Sequence, residues 1–498
     1  MQQRGIISFG AYVPRRRLAR RTICSANSWA NPGLAATAHG HKAICSHDED
    51  SLTMAVAAAR YALAERPEDN APDMLVFAST TMPFADRQNA GVIAEAASLS
   101  ENTCTADMGG SLKAGVGALR MALERPGETL VVAADKRLTR PGGPQELRIG
   151  DAAAAIVVGE GDPLAEFVAR RAVSVDFTDH YRSSDAQFDY QLEERWARDA
   201  GLLHIVPGPI RGLIEDAGIG GENIAHFVAA GLGNRNARTI AKHCGIPEGA
   251  VTPDLHAECG DTGTAHPLLL LTKALQSAAP GEFILLLGYG QGAEALLFRA
   301  TDTIGRASGM TGADAMLADG VEDGNYLRFL SFNGHVSMDW GMRAERDNRT
   351  AQSAFFRHRD TVTGCIGGRC TACGTPQFPK SRVCVNPGCR ATDSQVSEPF
   401  ADKPASVKSF TEDWLALSFN PPLMYGNVRF AGGGVAMLEF SDFEPSELAV
   451  GAPLAMQFRL KDVDDRRGFR RYCWKAVPPR ELSTHTTADK EMEGASHG

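Results

Sequence analysis

Four cysteines toward the C-terminal end of the chain have the residue type and spacing that most clearly indicate a chemical role in this sequence. They form two close pairs, one of type C-x2-C and one of type C-x4-C, with a hairpin-length segment between them. Two such pairs on neighbouring turns can supply the four thiolates of a tetrahedral zinc site. Because a closed four-thiolate site has no open coordination position, we expect a structural and not a catalytic zinc ion. The predicted ligands are Cys370, Cys373, Cys384 and Cys389, and Cys365 is left as a spare thiol.

A second candidate set lies in residues 254–267, DLHAECGDTGTAHP, on a loop that leads into a helix. A histidine and a carboxylate this close in sequence can act as general acid and base. The candidates are His256, Asp261 and His266. The alternative is structural, since Pro267 is typical of the first turn of a helix and the preceding imidazole can cap or pack there. Both interpretations stay open from the residues alone.

The third feature is CTADMGGSLKAGVGAL, residues 104–119, in which a strand runs into a glycine-rich turn and then a helix. The first turn of a helix presents unpaired amides and the positive end of the helix dipole, which favours anions. Cys104 ends the strand, and we expect it to be a buried apolar residue and not a nucleophile.

Composition indicates a globular protein without a global basic field. The chain has 43% hydrophobic and 22% charged residues, a net charge of −9 and a pI near 5.8. Nucleic acid is therefore not an expected partner. Two local basic clusters, residues 15–21 and 465–471, are either solvated edges or phosphate-binding patches.

Compartment and membrane association are also constrained by the sequence. No apolar run approaches the roughly 18 residues that a membrane span needs, and the N-terminus lacks the charged and apolar regions of a signal peptide. Of 11 cysteines, five fall between Cys365 and Cys389. This clustering favours a reduced compartment with one metal site over a disulfide framework, so we expect a cytoplasmic protein.

Patterning along the 498 residues predicts several units. Short apolar strands alternate with alanine-rich helices over about the first 300 residues and predict two similar α/β halves, residues 1–162 and 163–302. Residues 303–355 are rich in glycine and acidic residues and are predicted to be a connector. The zinc-binding segment spans 356–398, and short alternating strands over 399–480 predict a small barrel. The polar tail 481–498 is expected to be disordered.

Several segments of the first 300 residues resemble the hydroxymethylglutaryl-CoA synthase branch of the thiolase superfamily in their order and spacing. They are GIISFGAYVPRRRL, DEDSLTMAVAAAR, FASTTMPFADRQNA, LVVAADKR, IGDAAAAIVVGEG, DHYR and LLLGYGQGAEALLF. The cysteine segment, with TPQFPKSRVC between its pairs, is similar to the zinc-ribbon/OB-fold domains that accompany thiolase-fold enzymes acting on acyl-CoA. The resemblance implies a duplicated layered α-β-α-β-α core, a zinc ribbon and a small OB-type β-barrel.

The same resemblance implies that the catalytic side chains have changed. Enzymes of this branch place a nucleophilic cysteine at a helix N-terminus, where its thiolate is favoured. Here Leu112 stands at that position, Thr80 at that of the glutamate, Ala230 at that of the histidine and Asp261 at that of an asparagine. A shift of one residue would bring Ser111 to the turn instead. The usual covalent acyl transfer is therefore not expected, and proton transfer would fall to Asp261, His256 or His266, with Ser111 and Thr80 as further candidates.

Backbone groups do not depend on these substitutions. The resemblance implies an oxyanion hole built from the amides of Leu112 and Gly290. Tyr181 and Arg182 of DHYR resemble an element at the acyl-CoA entrance, where Arg182 would hold a carboxylate or phosphate. The alternative for Arg182 is a structural ion pair.

Three functions are compatible with this sequence. The first is an acyl-CoA-dependent enzyme that makes or breaks a C–C bond beside a carbonyl by Claisen or retro-Claisen chemistry on a β-keto or β-hydroxy acyl substrate. The second is a retro-aldol lyase that uses the oxyanion hole without a covalent intermediate. The third is a non-catalytic subunit. The resemblance also implies a homodimer or dimer of dimers paired through an edge strand at TCTADMG, with zinc as structural metal and coenzyme A or an acyl-CoA as substrate.

Overall fold

A computed structural model describes residues 4–64, 66, 71–344, 351–464 and 466–480. The strands of the first part are β1 (Arg4–Tyr12), β2 (Arg16–Ala19), β3 (His41–Ala43), β4 (Met74–Ala78), β5 (Cys104–Met108), β6 (Thr129–Asp135), β7 (Ala152–Glu160), β8 (Ala165–Ser174), β9 (His180–Tyr181), β10 (Tyr190–Gln191), β11 (Ile224–Ala229), β12 (Phe283–Tyr289), β13 (Gly292–Ala300) and β14 (Val321–Glu322). Its helices are α1 (Arg20–Asn27), α2 (Ser51–Leu63), α3 (Asn89–Ala96), α4 (Ala114–Glu124), α5 (Pro144–Arg148), α6 (Glu194–Trp196), α7 (Leu203–Ile205), α8 (Pro207–Asp216), α9 (Asn234–His243), α10 (His266–Ser277), α11 (Ala313–Ala318) and α12 (Tyr326–Phe332).

The two α/β halves share one nine-stranded sheet with the order β11-β12-β13-β8-β1-β7-β6-β4-β5. Strand β1 pairs antiparallel with both β7 and β8, which joins the halves. The sequences of β6 and β7 are continuous apolar runs because helices cover both faces of the sheet. Helix α2 is almost wholly buried and begins at a capping box between Asp50 and Thr53.

Strand β5 forms one edge of this sheet and pairs with β4. Contrary to the expectation for a buried residue, Cys104 at its start is exposed. The strand alternates exposed and half-buried residues, so part of its surface is open.

The segment predicted as a connector is folded over residues 303–344. Strand β14 pairs in parallel with β2, and the Tyr326 hydroxyl donates to Glu146 at 3.0 Å. The segment therefore packs on the first half and is not an exposed excursion. The boundaries between units stay predictions, and the tail 481–498 lies outside the described residues.

Most of the arginines in the two basic clusters form ion pairs within the protein or donate to its backbone carbonyl groups. In the first, Arg15 pairs with Asp319 at 3.2 Å and Arg16 with Asp323 at 3.0 Å. In the second, three arginines each contact an aspartate: Arg467 with Asp464, Arg470 with Asp50 and Arg471 with Asp462. Guanidinium groups engaged in this way favour a structural role over a phosphate-binding patch.

The C-terminal module, residues 366–477, follows helices α13 (Gln352–Arg357) and α14 (Arg359–Val362). Its strands are β15 (Ile366–Cys370), β16 (Pro376–Gln377), β17 (Gln395–Pro399), β18 (Ala405–Asp413), β19 (Leu423–Phe430), β20 (Val435–Glu439), β21 (Pro453–Asp464) and β22 (Phe469–Val477). The first three form a small sheet and the last five a second sheet of order β20-β19-β18-β21-β22. Only one isolated bridge, Phe440 to Ala476, links the two ends of the larger sheet in the described chain. The expected small barrel is therefore not closed.

Buried charges join the C-terminal module to the residues just before α2. We call Asp48, Glu49, Asp442, Arg459 and Lys475 the interface charge cluster. Arg459 is 2% exposed and its Nη1 lies 3.2 Å from Asp48 and 3.0 Å from Glu49, while its Nη2 lies 2.6 Å from Asp442. Lys475 Nζ lies 3.1 Å from Asp48. Burial alone would raise the pKa of Asp48, but Lys475 above all holds that pKa well below its usual range.

No helix in the described part of the chain combines the length and hydropathy needed to cross a membrane.

Candidate active site

One cavity of about 660 Å³ in the two halves is lined by three of the predicted site residues, Leu112, His256 and Asp261. Three loops supply its walls: Leu112 precedes α4, Ala230 follows β11, and Asp261 lies ahead of α10. These are three of the four positions at which the resemblance implies replaced catalytic residues, and the fold brings them together. The other polar residues in the wall include Arg137, Arg148, Asp179, His180, His256 and Tyr289.

No cysteine lines this cavity among the described residues. Leu112 lies just before the first turn of α4, where a thiolate would be stabilised. The nearby Cys259 is fully buried, and its thiol lies 3.4 Å from the Leu255 carbonyl oxygen. Burial raises the pKa of Cys259 to about 12, so this thiol stays protonated. The cavity therefore has no thiol nucleophile in the described chain.

The two amides predicted to form an oxyanion hole have different surroundings. The Ser111 hydroxyl donates to the Gly290 carbonyl at 3.1 Å, and the Gly290 amide donates to Gly292 at 3.0 Å. Gly290 has φ +153°, and a Cβ there would lie 2.5 Å from Ser111 Oγ. In the part of the chain that is described, the Leu112 amide has no acceptor. Leu112 is thus the available donor of the pair, while Gly290 shapes the turn.

Asp261 and His256 line the cavity, while the buried His266 packs beside His256 and does not line it. Asp261 accepts the Gly263 amide at 3.0 Å and lies 3.6 Å from Arg148. Burial would raise the pKa of Asp261, but His266 first and Arg148 next hold that pKa well below its usual range. The carboxylate is therefore a weak base.

His266 is committed to the structure. Its Nδ1 accepts the Thr262 amide at 3.3 Å, and its Nε2 lies 2.9 Å from the Asp254 carbonyl oxygen. The acceptor role of Nδ1 leaves the proton on Nε2. Burial lowers the pKa of His266 to about 4, so the ring is neutral near pH 7. His256, whose ring centroid lies 5.2 Å away, keeps a buried Nε2 without a partner in the described chain.

Thr80 does not line the cavity but belongs to a buried hydrogen-bond centre on Asp135. This carboxylate accepts the Thr80 amide at 2.8 Å and the Thr80 hydroxyl at 3.1 Å. It also accepts the amide and hydroxyl of Thr264, at 2.8 Å and 2.9 Å, from the loop that carries Asp261. Asp135 therefore ties together loops from both halves beside the cavity.

The hairpin β9–β10 lies at one wall of the cavity and carries DHYR. Arg182 lies 3.4 Å from Asp189 and also donates to the Thr80 carbonyl oxygen, and the buried Arg137 donates to the same aspartate. Tyr181 is 52% exposed and packs on Tyr190. Arg182 thus makes internal contacts, and its predicted contact with an acyl-CoA stays a prediction.

Comparison with known proteins identifies the two halves. The hydroxymethylglutaryl-CoA synthase of Pyrobaculum aerophilum is 30% identical over 352 residues, which cover 68% of this chain and 99% of that protein. The chain belongs to the hydroxymethylglutaryl-CoA synthase family. The same enzyme of Thermococcus onnurineus is 29% identical over 298 residues, 58% of this chain and 83% of that protein. Residues 214–299 match the family described as 3-oxoacyl-[acyl-carrier-protein (ACP)] synthase III C terminal.

Solved structures show that the hydroxymethylglutaryl-CoA synthase-like part has the thiolase fold. PksG, an HMG-CoA synthase from Bacillus subtilis, superposes with a TM-score of 0.58 at 14% identity over 70% of this chain and 95% of that one. MvaS in complex with 3-hydroxy-3-methylglutaryl coenzyme A gives a TM-score of 0.56 at 20% identity over 67% of this chain and 92% of that one. The thiolase fold implied by the sequence resemblance is confirmed.

The C-terminal extension of this family member carries a zinc ribbon. Residues 366–394 match the family described as ChsH2, rubredoxin-like zinc ribbon domain, and the sulfur atoms of the four predicted ligands lie within 4.8 Å of one another. Cys370 and Cys389 are 3.9 Å apart, and Cys373 and Cys384 are 3.6 Å apart. Tetrahedral coordination with Zn–S bonds of about 2.3 Å places sulfurs about 3.8 Å apart. The donor set therefore fits zinc.

Sequence reasoning missed several polar side chains in the cavity wall, among them Asp179, His180 and Tyr289. The first two stand directly before the tyrosine and arginine that were singled out in DHYR, so the motif itself was the available signal. Tyr289 lies within GYGQG, a segment in which only the backbone amide of Gly290 was predicted to have a role. A tyrosine at the end of a strand is usually a packing residue. Its place in the cavity wall becomes visible only in the tertiary structure.

Proposed function

We propose that this protein is an enzyme that cleaves or forms a carbon–carbon bond beside the carbonyl of an acyl-CoA, by aldol chemistry and without a covalent acyl-enzyme. Family membership supports the acyl-CoA substrate class, since the curated relatives are hydroxymethylglutaryl-CoA synthases. The observation that carries the non-covalent mode is Leu112, which occupies the helix N-terminus in a cavity without a thiol among its described residues.

The reaction balances without a nucleophile from the protein. In the cleavage direction, a base takes the proton of the β-hydroxyl of a β-hydroxyacyl-CoA, and the O–H electrons form the new carbonyl. The Cα–Cβ bond breaks, and its electron pair moves onto the thioester as an enolate. A proton then returns to Cα, so an aldehyde or ketone and a shorter acyl-CoA leave. The chain has to supply a base and hydrogen-bond donors for the enolate oxygen.

Claisen or retro-Claisen transfer is the broader alternative within the same substrate class. It requires an acyl acceptor, which a family cysteine would normally provide. The described cavity wall offers the hydroxyls of Thr239 and Tyr289 but no thiol, and the Thr239 hydroxyl donates to the Arg235 carbonyl oxygen at 3.0 Å. The observed side chains therefore favour the aldol mode.

The test is incubation of the purified chain with a panel of β-hydroxyacyl-CoA and β-ketoacyl-CoA thioesters of increasing chain length. We expect release of an aldehyde or ketone and a shorter acyl-CoA, with no mass increase of the protein. Leu112→Trp should lower the rate at least about tenfold by filling the cavity, whereas Leu415→Trp, at a side chain that is 81% exposed, should not. A stable acyl adduct would replace the aldol mode by covalent transfer. Absence of turnover on the whole panel would favour a non-catalytic subunit.

We further propose that two copies pair through the edge strand β5 and extend the nine-stranded sheet. The exposure of Cys104 on this strand supports the proposal. Light scattering should give the mass of a dimer or dimer of dimers for the wild type. Cys104→Glu, which sets carboxylates near the two-fold axis, should raise the dimer dissociation constant at least about tenfold. Leu415→Glu is the control, and a Cys104→Glu protein that associates as tightly as the wild type would contradict the proposal.

A further inference from the structure

Asp179 and His180 form a hydrogen-bonded pair in the wall of the cavity. His180 Nδ1 lies 2.9 Å from Asp179 Oδ1, and the His180 amide donates to the same oxygen at 2.9 Å. Burial would raise the pKa of Asp179, but the hydrogen bond from His180 lowers it overall, so the carboxylate is ionised. An ionised carboxylate at Nδ1 places the ring proton there and leaves the lone pair on Nε2. The pair has the arrangement of a general base and the group that orients it.

The pair is held on an anchored hairpin. His180 is opposite Gln191 in the β9–β10 ladder, and Asp189 just before β10 accepts from the buried Arg137 at 3.1 Å. Arg182, which directly follows β9, lies 3.4 Å from Asp189. Two arginines on one carboxylate fix the hairpin at its base, and therefore fix the orientation of His180.

Tyr289 lines the same cavity, and its hydroxyl is buried beside Gly201, where an added Cβ would lie 2.6 Å from Oη. In the described chain its buried Oη has no hydrogen-bond partner, although a buried hydroxyl without a partner is costly. Burial first, and the charge of Asp179 next, raise the pKa of Tyr289 above its usual value. The phenol therefore stays protonated and can donate. A buried donor without a partner, on a residue that lines a substrate-sized cavity, favours a ligand oxygen as its partner.

We propose that His180, oriented by Asp179, accepts the β-hydroxyl proton of the substrate, and that Tyr289 donates a hydrogen bond to the thioester oxygen of the enolate. This assignment rests on the proposed function. The proton taken by His180 Nε2 is delivered to Cα after the carbonyl product forms, so the imidazole ends neutral. The Leu112 amide is the second donor to the enolate oxygen. In this proposal no residue takes over the part of a nucleophilic cysteine. The reaction depends instead on a general base, His180, on the β9–β10 hairpin.

The acid–base candidates predicted from the sequence fit this role less well. Both nitrogens of His266 are engaged, and the ion pair with Arg148 makes Asp261 a weak base. His256 Nδ1 lies 3.4 Å from Asp254 Oδ2, beyond a good hydrogen bond, so its ring is not oriented as His180 is. His256 is therefore the alternative general base, and the experiment has to distinguish it from His180.

The experiment measures cleavage of the best wild-type substrate together with the dissociation constant of a non-cleavable acyl-CoA. His180→Phe should lower kcat about 10²- to 10⁴-fold and Tyr289→Phe about 10²-fold, while the dissociation constant changes less than about threefold. Asp179→Asn should lower kcat about 10²-fold with KM unchanged, and Asp179→Glu should recover part of that loss. His204→Phe, an exposed histidine outside the cavity wall, is the matched control and should match the wild type.

A wrong assignment of His180 and a wrong proposed function give different experimental results. If the wild type cleaves and His180→Phe retains full kcat, or if His256→Gln abolishes cleavage while His180→Phe does not, the assignment of His180 is wrong and the proposed function stands. If the wild type cleaves no substrate of the panel, the proposed function itself is wrong. Unchanged kcat in Tyr289→Phe would overturn the role of that hydroxyl.

Discussion

Removing the zinc ion is expected to unfold the ribbon, with the largest effect of any single change in this chain. The four thiolates are the main connection between two knuckles that otherwise share three short strands. Structural zinc in small sites contributes about 10–16 kcal/mol of apparent binding free energy at neutral pH, and that free energy is folding free energy of the site. We expect one zinc per chain by elemental analysis, and a new protease-sensitive region at 366–399 after treatment with a chelator. Cys373→Ser should reproduce both the metal loss and the sensitivity.

Cys365→Ala is the matched control for this prediction. Cys365 lies just before the ribbon and is buried, but it does not belong to the cluster of four sulfurs. The variant should therefore keep one zinc per chain, even if the lost packing lowers stability slightly. Retention of zinc by Cys373→Ser, or its loss from Cys365→Ala, would show that the ligand set is wrong.

Arg459→Met is expected to lower the free energy of unfolding by about 3–5 kcal/mol, because it removes the cation that pairs with Glu49 and Asp442 and leaves Asp48 with Lys475 alone. The arginine touches Asp48, Glu49 and Asp442, and all three lose a charged partner at once. Methionine fills most of the volume, so the effect is electrostatic rather than a cavity effect. The urea unfolding midpoint measures it, and the C-terminal module should separate from the two halves at lower urea than in the wild type.

Arg429→Met provides the comparison for this second prediction. Arg429 lies on β19 of the same module and is exposed, so its replacement should change the free energy of unfolding by less than about 0.5 kcal/mol. Adding Glu49→Gln to Arg459→Met should recover part of the loss, because it removes a carboxylate whose ion pair is with Arg459. Equal unfolding midpoints for Arg459→Met and Arg429→Met would mean that the interface charge cluster does not hold the module.

The interface charge cluster also shows why the C-terminal module cannot be treated as a tethered accessory. Its acidic members Asp48 and Glu49 stand directly before α2, and Lys136 donates to the Glu49 carbonyl oxygen at 3.0 Å. Lys136 is the neighbour of Asp135, which ties the loops beside the cavity. Contacts therefore run without a break from the module to the wall of the site.

Features that depend on local spacing could be predicted from the amino-acid sequence alone. Cysteine pairs on short turns predicted the zinc ligands, because four thiolates can be placed by two local turns without knowledge of the remaining fold. Apolar strands that alternate with helices predicted the α/β halves, since buried parallel strands and capped helices leave periodic patterns. The order of segments was enough to indicate the family.

Which side chains share a cavity, and which already have hydrogen-bond or ion-pair partners, depends on the three-dimensional fold. His266 and Arg182 looked like free functional groups in the sequence, but partners distant in the chain or across a loop engage them. His180 and Tyr289 come from strands of different sheets, more than one hundred residues apart, and line the same cavity. The basic clusters and the acidic run before α2 likewise found their partners across the fold. Hydrogen bonding and desolvation depend on three-dimensional neighbours, so a residue's type and spacing fix what it can do, and only packing decides whether it is free to do it.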